Sequence, residues 1–128
     1  MRILVVESNP SALYAGPGRE NIDKAGEGYA AALRELSALV ETDIVSPYDG
    51  DSVRELSGYS GIVFTGSGVE WNTDDARAEP LARVMRAGFA AGVPTLGSCN
   101  GMQLAASVLG GSSPVSYTHL TLPTTSRV

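Results

Sequence analysis

Residues 94–105 read PTLGSCNGMQLA and contain the only cysteine of the chain, Cys99, between Gly97 and Gly101. An apolar run precedes the cysteine and residues at helical spacing follow it, which predicts a strand, a sharp turn and a helix. Such a turn forces its central residue into a strained backbone conformation, and flanking glycines relieve the crowding. The pattern therefore predicts that Cys99 projects above a sheet edge at the positive end of the helix, where negative charge is stabilised.

A thiol at such a turn is suited to acyl transfer through a thioester. The backbone N–H of the next residue, Asn100, can donate a hydrogen bond to a developing oxyanion. A second donor is expected from the glycine-rich loop TGSG, residues 65–68. A buried structural cysteine is the usual fate of a free one. The glycines, the strand, the helix and the second loop together favour a nucleophile instead.

Short apolar runs bounded by turn residues alternate with helical patterns along the chain. Strands are predicted at residues 3–6, 43–45, 61–64 and 93–97, and helices at 26–41, 78–92 and 101–109. Continuous apolar runs are typical of strands buried on both faces of a parallel sheet. The alternation predicts an α/β fold with right-handed crossovers. In the first helix, the core face is predicted to consist of Leu33, Leu36 and Val40.

Ligands of such sheets bind beyond the carboxyl ends of the strands. The loops at residues 8–20 and 65–71 and the turn at Cys99 should therefore meet in space. Glu7 ends the first predicted strand and is either an active-site carboxylate or, more simply, a charge that meets solvent. Trp71 either lines a pocket or caps the rim of the fold.

Composition excludes several classes of function. The chain has 128 residues, the size of one domain, and its net charge of −5 argues against a nucleic-acid partner. No apolar run approaches the roughly 18 residues of a membrane span. The first apolar run is too short for a signal peptide, which favours a cytoplasmic protein. One cysteine excludes an internal disulfide, and no metal site or cofactor is expected.

The C-terminal segment differs from the rest of the chain. All 14 acidic residues lie before position 80, and residues 112–128 contain none. The stretch VSYTHLTLPT, residues 115–124, resembles the translation of a transposon-type sequencing adapter and shows neither helical nor strand periodicity. A segment introduced by sequencing or cloning does not contribute to the natural fold. We expect residues 1–113 to form the domain and residues 114–128 to be a non-native or disordered tail.

The motif around Cys99 continues to Gln103 as Gly-x-Cys-x-Gly-x-Gln. Together with the TGSG loop, it resembles the class I (triad) glutamine amidotransferases of the GMP-synthetase type, over essentially all of residues 1–113. The resemblance implies a flavodoxin-like open parallel sheet with helices on both faces, C-terminally truncated. It also implies glutamine as substrate and an ammonia acceptor on a synthetase domain or subunit.

The resemblance also implies roles for individual residues. Cys99 would attack the side-chain amide of glutamine, and the oxyanion would be held by backbone N–H groups of Asn100 and of Gly66 or Ser67. Substrate binding would involve Gln103 and Gly68. From chemistry alone, Gln103 can equally be a polar residue of the helix.

Two departures from the family pattern bear on activity. Gly66-Ser67-Gly68 replaces the more familiar Gly-Gly-Pro, which leaves open which N–H serves the oxyanion. The His-x-Glu that supplies base and orienter lies downstream in the family, whereas the only histidine here, His119, has Thr121 where the acid would stand. We therefore expect that this chain lacks its general base and has negligible glutaminase activity.

Three alternatives remain open from the sequence. A γ-glutamyl hydrolase shares the same turn and differs in the group that is released. DJ-1/PfpI-like cysteine proteins place a reactive cysteine at a similar turn and include redox sensors, although Gln103 and the TGSG loop argue against them. A non-catalytic regulatory module with a relic cysteine is the third.

Overall fold

The computed structural model describes residues 1–19, 24–53, 55–110 and 119–122. These residues form a sheet of five strands in the order β2-β1-β3-β4-β5. The strands are β1 (Arg2–Val6), β2 (Glu41–Val45), β3 (Gly61–Phe64), β4 (Thr95–Ser98) and β5 (His119–Leu122). The helices are α1 (Ala25–Leu36), α2 (Glu79–Ala90) and α3 (Asn100–Val108). Strands β1 to β4 are parallel, which confirms the predicted α/β class and its flavodoxin-like sheet.

The two faces of the sheet are covered by different helices. Val5 pairs with Ile44 of β2, and α1 lies on their face, where a Cβ built on Gly26 would be 3.1 Å from Ile44 Cγ2. Phe64 points to the opposite face, where a Cβ built on Gly101 of α3 would be 3.0 Å from its Cβ. The helices therefore lie on both faces, as predicted.

The main hydrophobic core lies between the sheet and helices α2 and α3. Its most deeply buried members come from β1, β3 and these two helices: Leu4, Val6, Ile62, Phe64, Leu81, Met85 and Leu104. Helix α2 also contributes Val84 to this core, and Phe89 packs against the edge of the core. None of the described helices is long and apolar enough to cross a lipid bilayer.

Helix α1 ends earlier than its apolar pattern predicts. It stops at Leu36 because Ser37 has an extended backbone (φ −159°), and Leu36 itself is 82% exposed. The predicted core face of Leu33, Leu36 and Val40 is therefore wrong. The residues that α1 buries are Gly26 and Ala30, small side chains that let the helix approach the sheet closely.

Strand β5 lies within the segment predicted to be a tail. It pairs antiparallel with β4, and the register joins His119 to Ser98 and Leu122 to Thr95. Leu120 and Leu122 alternate with His119 and Thr121, so the prediction that this segment lacks strand periodicity is wrong for these four residues. The rest of residues 111–128 lies outside the described residues, and the proposed domain boundary stays a prediction.

Gly88→Ala tests the contact between α2 and the sheet. A Cβ at Gly88 would lie 2.8 Å from Ile62 Cδ1. Overpacking of this kind costs about 1–3 kcal/mol, against a gain of about 1 kcal/mol from helix propensity. We expect a net loss of stability in urea unfolding. In an Ile62→Val background, which lacks that methyl group, the same substitution should stabilise; equal effects in both backgrounds would contradict the contact.

Candidate active site

Cys99 stands between the end of β4 and the first residue of α3. Its backbone has φ 50° and ψ −100°, and among the described residues it is the one non-glycine residue with positive φ. Such a conformation costs of order 1–3 kcal/mol and persists where the surroundings impose it. The thiol is exposed. The predicted strand, strained turn and helix are therefore all present.

Two close contacts between backbone segments impose this turn: one between β4 and α3, and one between α3 and β3. A Cβ on Gly97 would lie 2.5 Å from the carbonyl carbon of Gly101 and 2.8 Å from the backbone N of Met102. A Cβ on Gly101 would lie 3.2 Å from the carbonyl oxygen of Phe64. The first turn of α3 therefore rests directly on β4 and β3, and neither glycine can be replaced without moving backbone.

The first hydrogen bond of α3 runs from the N–H of Gln103 to the carbonyl of Cys99, at 3.0 Å. The N–H groups that precede it in a helix have no partner within the helix. The N–H of Asn100 belongs to this group and directly follows the sulfur-bearing residue. Gln103 is half-buried, one turn along the same helix.

The loops after β1 and β3 are joined by hydrogen bonds. The N–H of Ser8 donates to Thr65 Oγ1 at 2.9 Å, and this hydroxyl donates to the carbonyl of Gly66 at 3.0 Å. Asn9 Nδ2 lies 3.3 Å from the same carbonyl oxygen, and Asn9 Oδ1 accepts from the N–H of Gly68 at 2.7 Å. The predicted meeting of these two loops is confirmed.

The Gly66 carbonyl fixes the direction of the next N–H. In a trans peptide the C=O and the following N–H point in opposite directions, so the N–H of Ser67 points away from Asn9. Strands β1 and β4 flank β3 on opposite sides, and Asn9 follows β1. The N–H of Ser67 is therefore directed away from β1, and Cys99 follows the strand on the other side of β3. The loop reaches the turn there, because a Cβ on Gly66 would lie 4.0 Å from the carbonyl oxygen of Ser98.

The structure thus groups most of the site residues predicted from the sequence. Cys99 and Asn100 form the turn, Gly66 approaches it from the neighbouring loop with Ser67 next in sequence, and Gln103 follows on α3. Gly68 differs from these, because its N–H is already bonded to Asn9.

Glu7 is the carboxylate whose surroundings the sequence did not reveal. The residue is 2% exposed, so the expectation that its charge meets solvent is wrong. Its Oε1 accepts from the N–H of Gly26 at 2.8 Å. Its Oε2 lies 3.1 Å from the N–H of Asn9, 3.0 Å from Asn9 Nδ2 and 3.1 Å from the hydroxyl of Tyr14. This carboxylate joins the N-terminus of α1 to the loop after β1.

Tyr14 closes this polar cluster. Its oxygen accepts from the N–H of Ala25 at 3.0 Å and lies 3.0 Å from Asn9 Nδ2. Burial raises the pKa of Tyr14 above its ordinary value, so the phenol keeps its proton at neutral pH. Sequence reasoning missed Asn9 and Tyr14. The sequence feature that could have indicated this cluster is Asn9, an amide two residues after the carboxylate of Glu7 at the end of β1.

Trp71 is half-buried and contacts Tyr48 and Arg77. Its Nε1 donates to the hydroxyl of Tyr48 at 3.0 Å, and the two rings meet edge to face at 5.7 Å. The guanidinium of Arg77 lies 4.8 Å from the indole centroid. Hydrogen bonds from Arg77 lower the pKa of Asp75 to about 2, so this pair stays charged above that pH.

Comparison with known proteins gives a likeness of fold. No protein-family model matches the chain, and no curated protein matches it. A solved structure, the glutamine amidotransferase from Methylobacillus flagellatus, superposes with a TM-score of 0.51 at 21% identity. The match covers 84% of this chain and 38% of that one, so the chain spans well under half the length of that protein.

Gly97→Ala tests the turn at Cys99. The added Cβ would meet backbone atoms of α3 that no side-chain rotation can move away, so we expect a loss of about 3 kcal/mol. Gly28→Ala is the matched control, because nothing lies within 4 Å of a Cβ at that helical position. It should stabilise by up to about 1 kcal/mol. Urea unfolding measures both; similar midpoints for Gly97→Ala and the parent would contradict the close approach.

Proposed function

We propose that this protein is a glutamine amidotransferase of the class I type. The observation that carries the proposal is the strained, exposed Cys99 at the N-terminus of α3, beside the glycine-rich loop of Gly66. The likeness of fold to a solved glutamine amidotransferase supports it. Cys99 Sγ would attack the side-chain amide carbon of glutamine, ammonia would leave, and water would cleave the γ-glutamyl thioester.

The negative charge of the tetrahedral intermediate needs donors that are already in place. We assign the two donors to the N–H groups of Asn100 and Ser67. Of the two loop residues that the sequence left open, Ser67 is favoured over Gly66 because the Gly66 carbonyl is held on the far side. The glycines let the backbone approach a ligand without side-chain hindrance.

Substrate binding is assigned to Gln103 and to the loop at Gly68. Gln103 lies one turn beyond the nucleophile, within reach of a substrate held above the turn. Because the N–H of Gly68 is bonded to Asn9, the contribution of Gly68 would be the space that its missing side chain leaves.

The general base is the missing part of this assignment. The chain has one histidine, His119, whose backbone pairs with Ser98 next to the nucleophile. It lacks the acid that the family places two residues on, and we propose that it is not the base. Without a base, the thiol can be acylated by a substrate with a good leaving group, whereas turnover of the amide fails.

The wider setting of the reaction follows the resemblance to enzymes of the GMP-synthetase type. Glutamine is the proposed substrate, and a synthetase domain or subunit the proposed acceptor of ammonia. We propose a cytoplasmic location, where glutamine is available and a thiol stays reduced.

We predict a single burst of acylation with the γ-p-nitrophenyl ester of glutamate. Its leaving group departs as an anion and needs no proton from the protein, so the missing base does not prevent acylation. One equivalent of p-nitrophenolate should be released per chain, and mass spectrometry should find the glutamyl group on Cys99. Glutamine itself should give no steady release of ammonia.

The controls for this burst separate the roles of two residues, Cys99 and His119. Cys99→Ser should abolish it and provides the background hydrolysis to subtract. His119→Ala should leave the burst unchanged, and a large loss would instead identify His119 as the base. No burst in the parent chain, together with selective oxidation of Cys99 by peroxide, would overturn the proposal in favour of a DJ-1/PfpI-like sensor.

Gln103→Ala tests substrate binding. It should raise the ester concentration that gives half the maximal burst rate by about tenfold, the loss of one hydrogen bond to a charged substrate. Alkylation of Cys99 by iodoacetamide, which is not a glutamine analogue, should keep its rate. An unchanged half-saturating concentration would leave Gln103 as a polar helix residue.

A further inference from the structure

Glu7 is a buried carboxylate that is linked to the 65–68 loop through Asn9 and forms no salt bridge with the described residues. The residue is 2% exposed. Burial of an ionised carboxylate is costly unless hydrogen bonds replace its water. Here the replacement consists of two backbone N–H groups, of Gly26 and Asn9, and two side-chain donors, of Asn9 and Tyr14. The N-terminus of α1 adds its positive end.

The carboxylate determines which way the Asn9 amide faces. A carboxylate oxygen only accepts hydrogen bonds, so the side of Asn9 next to Glu7 Oε2 must be its NH₂ group. Oδ1 is then left to accept from the N–H of Gly68 at 2.7 Å. A flipped amide would set oxygen against carboxylate and NH₂ against N–H. Glu7 therefore fixes Asn9, and Asn9 can receive the loop in one orientation only.

Asn9 in turn restrains the Gly66–Ser67 peptide from both sides. Nδ2 lies 3.3 Å from the carbonyl oxygen of this peptide, and Oδ1 accepts from the N–H of Gly68 in the next peptide. Thr65 Oγ1 adds a second donor to the same carbonyl, at 3.0 Å. A rotation of the peptide that turned the Ser67 N–H away from Cys99 would break all of these contacts at Gly66.

We propose that Glu7 and Asn9 are positioning residues, which keep the Ser67 N–H directed at the oxyanion that forms on attack by Cys99. The proposal rests on the proposed function. Neither residue touches the substrate in this assignment; they act through the 65–68 loop. Their loss should slow the acylation step and leave substrate binding and the intrinsic reactivity of the thiol unchanged.

The test compares Asn9→Asp with the parent in the burst assay. Aspartate keeps the shape but loses the donor to Gly66 and sets a second carboxylate against Glu7. The maximal burst rate should fall about 100-fold, the usual loss for one oxyanion donor. The half-saturating ester concentration and the rate of iodoacetamide alkylation, which develops no oxyanion, should stay within about twofold of the parent values, since one oxyanion donor acts on the transition state alone. With one cysteine in the chain, alkylation reports on Cys99 alone.

Asn72→Asp is the matched control. It makes the same chemical change at an exposed position near the same edge of the sheet, and its burst rate should equal that of the parent. Thr65→Val is the second variant, for the case that Asn9→Asp does not fold. It removes the other donor to the Gly66 carbonyl at constant volume, and it too should lower the maximal rate selectively.

The outcomes separate this proposal from the proposed function. A parent chain without any burst overturns the proposed function itself. A parent burst that Asn9→Asp and Thr65→Val retain at full rate overturns the positioning role alone. A Glu7→Gln variant, in which an amide replaces the carboxylate, should lose rate in the same direction, and an unchanged rate would remove Glu7 from the role. Equal slowing of alkylation and acylation would indicate a general structural defect and also overturn it.

Discussion

The rest of the site depends on the close approach of β4 and the first turn of α3. Gly97 and Gly101 bring two backbone segments closer than any side chain would allow, and the cost appears as the strained dihedral angles of Cys99. Core packing offsets that cost, since Leu104 and Ala105 of the same helix are buried against the sheet. A helix held on its buried face cannot relax the turn at its end. Strain at Cys99 is thus imposed by hydrophobic burial several residues away.

The other part of the candidate site, the 65–68 loop, is held by hydrogen bonds rather than by apolar packing. The 65–68 loop has glycines at alternate positions and almost no apolar surface to bury, so packing cannot fix it. Its shape comes from hydrogen bonds to Thr65 and Asn9, with the carboxylate of Glu7 beneath them. In a water-poor setting each of these bonds is stronger than at the surface, and each broken one costs more. A polar cluster of this kind specifies one conformation where an apolar contact would tolerate several.

This difference explains how much the sequence could predict. The turn at Cys99 is a local pattern with its own steric cause, and each of the four parallel strands contains apolar residues bounded by turn residues, so both could be predicted directly. The cluster around Glu7 is assembled from three separate segments, and no periodicity connects Asn9 to Gly68. Helix α1 was misjudged because leucines at helical spacing suggested a core face, whereas close approach to the sheet required Gly26 and Ala30. Strand β5 has leucines at alternate positions, but it lies in a segment that resembles a sequencing adapter and was therefore predicted to be a tail.

The Cys99 turn and the 65–68 loop are neighbours, and each is held rigidly by its own contacts. On one side the sulfur position is set by backbone contacts at β4, and on the other the Ser67 N–H is set by a chain of hydrogen bonds that begins at the N-terminus of α1. Both depend on the register of β1, β3 and β4, because Glu7 and Thr65 continue the strand pairing through their own N–H groups, to Val45 and Val6. The sheet therefore acts as the common reference for the Cys99 turn and the 65–68 loop. A shift of one residue in β3 would move the loop by a full strand step relative to Cys99, which is why their arrangement needs a buried sheet with a fixed register.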